Sequence, residues 1–130
     1  FVQQKAKLIA GARMPIPGLS IAIMRNADND TMSSVLAAQT ADTLITIESV
    51  AVGMAIVEYK DGSLSISARS DGSVNVQVIM EELGGGGHQT VAGVQLAGKR
   101  ARDVEAQLIA LTEKQLEECK TNESNSVARC

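Results

Sequence analysis

Apolar positions recur along this chain at two different spacings, and the switches between them mark out its elements. Val2, Ala6 and Ile9 sit at helical spacing, and the pattern stops at Gly11 before Met14-Pro15-Ile16-Pro17-Gly18, whose prolines forbid helix continuation. A helix followed by a linker turn is predicted. Leu19 to Met24 is a short apolar run between Pro17-Gly18 and the polar stretch Asn26-Ala27-Asp28-Asn29-Asp30, which suits a buried strand. Met32, Val35, Leu36 and Gln39 return to helical spacing among good helix formers, so Thr31 to about Leu44 reads as a helix that Asp30 or Thr31 can cap. From Ser49 to Glu58 both sets of alternate positions are apolar: Val50, Val52, Met54 and Ile56 on one side, and Ala51, Gly53, Ala55 and Val57 on the other. Apolar character on both faces marks a central strand.

Lys60-Asp61-Gly62 carries the Asp-Gly signal of a tight hairpin, which makes the strand Ser63 to Arg69 antiparallel to the one before it. There Leu64, Ile66 and Ala68 alternate with Ser65, Ser67 and Arg69, giving one core face and one polar face. Asn75 to Leu83 fits either period. Helix is preferred because Asn75 can cap it, Glu81 and Glu82 favour it, and Gly84 follows where a left-handed residue ends helices. Val91 to Leu96 is another short strand, and Ala101 to about Glu118 a final helix with Val104, Leu108, Leu111 and Leu116 inward and no strong cap. Thr121 to Ser126 is polar and aperiodic, so residues 119–130 are expected to lack structure. The sum is an α/β sandwich: a mixed β-sheet of about four to five strands packed with helices.

At 130 residues and 45% apolar content the chain fits one compact domain. It opens on Phe1 rather than Met, and residues 1–18 read as the end of a preceding domain. Phe1 and Tyr59 are the only aromatics, so Val, Ile, Leu, Met and Ala must fill the core, and recognition of single strands by base stacking is disfavoured. A net charge of −3 argues against a broad footprint on duplex DNA. Cys119 and Cys130 lack the paired spacing of a zinc site and read as free thiols. With no signal peptide, and no apolar run near the roughly 20 residues of a membrane span, the expected location is cytoplasmic.

The strongest chemical signal is Gly84-Gly85-Gly86-Gly87-His88. Four glycines cost backbone entropy, which a folded domain tolerates where the chain needs positive φ or must approach a ligand closely. Their amides could form an anion-binding nest, with His88 adding a hydrogen bond or positive charge. A flexible linker is the plain alternative, but the run lies between well-patterned elements that need a short ordered connection. No Lys follows in the register of a phosphate-binding P-loop, and a dinucleotide fingerprint would follow a strand and open a helix, the reverse of the order here. Ser67 and Arg69 share the polar face of their strand and Ser70 continues it. A guanidinium fork beside hydroxyls suits phosphate, although a solvated strand face would look the same. Two-metal hydrolysis needs clustered Asp and His, whereas this chain has one His and scattered acids. No catalytic or metal-ligating set is expected within it.

Ile66-Ser67-Ala68-Arg69-Ser70, Asn75 to Glu81, and Leu83 followed by the glycines and His88 resemble the C-terminal DHH-associated subdomain of DHH-family phosphoesterases. Within that family they are most similar to the membrane-anchored cyclic-di-AMP phosphodiesterases. The resemblance covers about residues 19 to 115. It implies a separate N-terminal domain with an Asp-His-His motif, absent here, that holds two manganese ions (Mn2+). The subdomain would close over the substrate, Gly84, Gly85, Gly86, Gly87 and His88 contacting phosphate while Ser67, Arg69 and Ser70 help orient a cyclic dinucleotide or short nucleotide ligand. Related proteins with the same loop degrade very short RNAs. Small residues follow their His more closely than in Gln89 to Val94, which favours the cyclic-dinucleotide group. A reading from another class is a non-enzymatic nucleotide-binding or assembly module that joins partner subunits, for instance as a homodimer.

Overall fold

A computed structural model describes residues 2–125, with side chains through residue 118. The chain forms α1 (Val2–Ala10), β1 (Arg13–Ile16), β2 (Leu19–Ala27), α2 (Thr31–Leu44), β3 (Val52–Tyr59), β4 (Leu64–Ser70), α3 (Val76–Glu82), β5 (Gly86–Gly87), β6 (Val91–Leu96) and α4 (Ala101–Asn125). The strands make a single six-stranded sheet in the order β1-β2-β3-β4-β6-β5. Only β2 and β3 run parallel, joined through α2, and every other neighbouring pair is antiparallel.

The mixed sheet and the central place of β3 follow the apolar pattern. Val52, Met54 and Ile56 on one face of β3 are each fully buried with Leu19, Ile21, Ile66, Ile79, Met80 and Leu108 beneath α3 and α4. Each such side chain contributes roughly 1.5–3 kcal/mol through burial. The opposite face carries Ala55 and Val57 against Ala37 and Ala41 of α2. Small residues let that helix approach closely: a Cβ placed on Gly53 would lie 2.8 Å from the Leu44 Cβ. Asp30 caps α2 by accepting the Ser33 N–H at 2.9 Å, and Asn75 caps α3 by accepting that of Val78 at 3.3 Å.

Three expectations need correcting. The segment read as a linker turn is the edge strand β1, where Pro15 is tolerated because an edge has no partner on one side. Gly86–Gly87 pairs with β6 as a sixth strand, a pairing that glycine composition conceals. Finally, α4 runs on to Asn125 through sequence with no apolar stripe, so residues 119–125 have helical backbone where lack of structure was expected. The thiols of Cys119 and Cys130, and residues 126–130, lie outside the described residues.

Candidate substrate-binding site

The site is set by strand register. Alternation along β4 puts Ser65, Ser67 and Arg69 on the α2 side of the sheet. There α2 lies over β2, β3 and β4, leaving the same face of β6 and β5 open, and Val91 on it is exposed. Arg69 stands opposite Val91, whose carbonyl accepts the His88 N–H at 2.6 Å. In the next row Ser67 stands opposite Gly93, and Gly93 opposite Gly86; beyond it Ser65 stands opposite Gln95. Adjacent strands lie about 4.8 Å apart, which places the Cα atoms of Arg69 and His88 about 10 Å from each other across β6.

The middle row therefore has two glycines and one small hydroxyl. It forms a floor without bulky side chains, bordered by Arg69 and His88 on one side and by Ser65 and Gln95 on the other. A depression of about 490 Å³ lies over its Ser67–Gly93 part, lined by Ser65, Ser67, Gly84, Gly85, Gly93 and Gln95 among others, with Gly86, Arg69 and His88 outside its lining.

The four consecutive glycines serve different needs. Gly84, at φ +91°, ends α3: its N–H donates to the Glu81 carbonyl at 3.0 Å and the Gly85 N–H to that of Met80 at 2.8 Å, the double hydrogen bond of a Schellman motif. A Cβ on Gly85 would collide with the Gly93 carbonyl and Val94, and one on Gly87, at φ +143°, would lie 2.5 Å from the Ala92 Cα. At Gly86 a Cβ would meet nothing within 4 Å. The expected four-amide nest is thus corrected. The N–H groups of Gly84, Gly85 and His88 are used inside the protein, and the fold itself demands glycine at 84, 85 and 87. Gly86 is the one whose bare backbone the fold leaves unexplained.

Arg69 is held in place. Its Nε donates to Asp42 Oδ1 of α2 at 2.6 Å and its Nη1 to the carbonyl of Ala68 at 2.9 Å, while its side chain is 12% exposed. The remaining Nη2 has no partner among the described residues, nor has the exposed His88 imidazole or the Ser67 hydroxyl. Ser70 faces the other way. It is buried, and its hydroxyl accepts the N–H groups of Gly72 at 3.0 Å and Val74 at 3.4 Å, so it shapes the turn after β4 instead of facing the floor.

The hairpin tip that carries His88 is pinned twice, by Val76 N–H to the Gln89 carbonyl and by Ser70 N–H to that of Thr90, each at 2.9 Å. The start of α3 is fixed in turn from α4: Gln115 accepts the Asn75 N–H at 2.8 Å and donates to its carbonyl at 3.0 Å. Sequence reasoning missed Asp42, Gly93, Gln95 and Gln115. Only Gly93 carried a local signal, as a glycine inside a strand. Among the described residues no three His, Cys, Asp or Glu are grouped to hold a metal ion.

Comparison with known proteins places this arrangement among others. A family model described as the DHHA1 domain matches residues 19–118. The cyclic-di-AMP phosphodiesterase GdpP of Geobacillus thermodenitrificans is 48% identical over 105 residues, covering 81% of this chain and 16% of that protein. The cyclic-di-AMP phosphodiesterase PdeA of Listeria monocytogenes is 39% identical over 107 residues, covering 82% and 16%. The chain thus spans about a sixth of these relatives' length. Among solved structures, a pGpG-specific phosphodiesterase, PggH, from Vibrio cholerae superposes with a TM-score of 0.60 at 13% identity, over 88% of this chain and 39% of that one. An exopolyphosphatase-related protein from Bacteroides fragilis gives 0.64 at 15% identity, over 92% and 35%. These two likenesses show the fold.

Proposed function

Since this chain belongs to the DHHA1 domain family, we propose that it is the substrate-binding half of a phosphodiesterase that hydrolyses cyclic-di-AMP to the linear dinucleotide, the hydrolytic metals being two manganese ions in a preceding DHH domain. The observation that carries the reading is the bare Gly86–Gly93 floor with Arg69 and His88 beside it. A phosphodiester group can approach the backbone there without meeting a side chain. Arg69, fixed through Nε and Nη1, presents Nη2 to a phosphate oxygen, and the His88 imidazole donates a second hydrogen bond. Ser67 contributes a hydroxyl from the floor. These groups bind and orient; none is a nucleophile with an adjacent base, and no ion cage lies among the described residues. The metals, when bound in their own domain, would supply the activated water.

The names of the relatives supply the substrate class in this reading. Among the described residues no helix is long and apolar enough to cross a membrane. Any membrane anchor of the longer protein belongs in this proposal to segments beyond this chain. The test is steady-state hydrolysis by the longer protein, DHH domain included, loaded with manganese. His88→Ala and Arg69→Ala should each lower kcat/KM for cyclic-di-AMP at least tenfold, a loss of about 1.4 kcal/mol of transition-state stabilisation. Unchanged kcat/KM in both variants would contradict the assignment. A preference for short linear RNA over the cyclic dinucleotide would move the substrate, and leave the site.

A further inference from the structure

Beside the floor lies a larger cleft of about 670 Å³, bounded by the N-terminal turn of α2, the end of β3 and the end of β6. Gln95 lines both cavities, so the two adjoin at that side chain. Their chemistry differs. The floor has Arg69 and His88 at its border, whereas no Lys, Arg or His lines the cleft. Its polar groups are Asn29, Thr31, Ser34, Ser63 and Gln95, together with Asp30. Asp30 is a carboxylate at neutral pH, and the hydrogen bond it accepts from the Ser33 backbone N–H holds its pKa below the ordinary value. An anionic group would be repelled there.

Tyr59 lines the same cleft, half-buried, with its ring against the alanine cluster beneath α2. It is the only aromatic side chain among the described residues and the only tyrosine in the chain. An aromatic wall, neutral donors and acceptors, and one carboxylate suit a planar, uncharged ring carrying an exocyclic amine. Along β4, the Ser65–Gln95 row lies about 7 Å from the Ser67–Gly93 floor and the cleft begins just beyond it, a separation on the scale of one nucleotide.

We infer that this cleft is a nucleobase subsite, which takes a purine of the same ligand whose phosphate rests on the Gly86–Gly93 floor. The inference rests on the phosphate assignment above, and it adds a reason for selectivity that the glycine–histidine loop does not supply. Tyr59 would stack on or edge against the base, and Gln95, at the junction, would hold the sugar or the base edge. In this arrangement the carboxylate of Asp30 accepts from the exocyclic amine.

Because the chain has one tyrosine and no tryptophan, its intrinsic emission reports on Tyr59 alone. The experiment titrates the 130-residue chain with linear adenylate dinucleotide, with adenosine and with ribose 5-phosphate, using free tyrosine amide to correct for absorption by the base. In parallel it follows the Gly86 amide resonance. The expected result is saturable change in Tyr59 emission with dinucleotide and adenosine and none with ribose 5-phosphate, while Gly86 responds to the two phosphate-bearing ligands. Asp30→Asn, which keeps a side-chain oxygen for the Ser33 N–H and lines the cleft but not the floor, should weaken dinucleotide binding about tenfold and leave ribose 5-phosphate binding unaltered. A Gly86 response without any change in emission would overturn the base subsite and spare the phosphate floor. Changed emission with a silent Gly86 would overturn the phosphate floor on which the inference rests.

Discussion

Arg69 on β4 donates from Nε to Asp42 on α2 at 2.6 Å, a hydrogen-bonded ion pair between the strand that borders the candidate floor and the helix that covers its neighbours. Asp42 is 60% exposed, so the pair contributes little to stability, about 1 kcal/mol or less. Its consequence is orientation. Asp42→Asn should leave thermal stability within that margin and weaken phosphate-ligand affinity by up to about fivefold, with Arg69→Lys losing more because an ammonium cannot keep both contacts. Calorimetric titration of the two variants reads both effects. An Asp42→Asn variant with unaltered affinity would show that Arg69 needs no positioning.

The glycine run should separate into structural and functional positions. Gly85→Ala and Gly87→Ala both drive a Cβ into β6, and Gly87 also has positive φ, so each should lower the unfolding free energy by about 1–3 kcal/mol. Gly86→Ala should stay within about 0.5 kcal/mol of wild type, yet reduce ligand binding by raising the floor. Urea unfolding of the three variants decides it, and equal destabilisation at 86 and 87 would refute the division.

Gln115→Ala removes both hydrogen bonds to the backbone of Asn75 and leaves a part-buried N–H and C=O unsatisfied, at a cost of about 1–3 kcal/mol. Because Val76, one residue on, holds the hairpin tip, hydrogen exchange at the Val76 and Ser70 amides should accelerate more than at the centre of β3. Uniform acceleration across the domain would point to a purely global effect.

Asp30 and Asp61 predict the acid limb of stability. Both pKa values are lowered in the folded state, Asp30 chiefly by the Ser33 N–H and Asp61 chiefly by the Ser63 hydroxyl. A carboxylate with a depressed folded pKa stabilises above its unfolded pKa, and that stabilisation disappears as pH falls through the folded value. The melting temperature of Asp30→Ala should therefore lie below wild type near neutral pH, and the gap should narrow below the ordinary carboxylate range. A gap that persists unchanged in strong acid would contradict this origin.

Much of the architecture was legible because each element carried its own local signal. The apolar period and the Asp30 cap define Thr31–Leu44, and the Asp61-Gly62 turn fixes the β3–β4 pairing. What escaped depended on register between distant segments. Gly86–Gly87 becomes a strand only because Ala92 and Gly93 lie alongside it, and β1 only because β2 offers an edge. At the site, Ser67 and Arg69 were readable from alternation, and His88 from the motif. Ser70 was assigned to the ligand through sequence adjacency, although neighbouring residues on a strand face opposite ways. Asp42, Gln95 and Gln115 are exposed or part-buried polar residues on elements whose contacts cross 27 to 40 positions of sequence, and no local pattern marks them.

The central claim is that the Gly86–Gly93 floor, with Ser67, Arg69 and His88 around it, receives a phosphodiester. Its most direct test is an amide and guanidinium chemical-shift titration of this chain with cyclic-di-AMP. Saturable shifts are predicted at Gly86, Gly93, Ser67 and His88 and at the Arg69 Nε–H. Shifts confined to the basic residues Lys99, Arg100 and Arg102 around the start of α4, or none at Gly86 and Arg69 at saturating ligand, would contradict it.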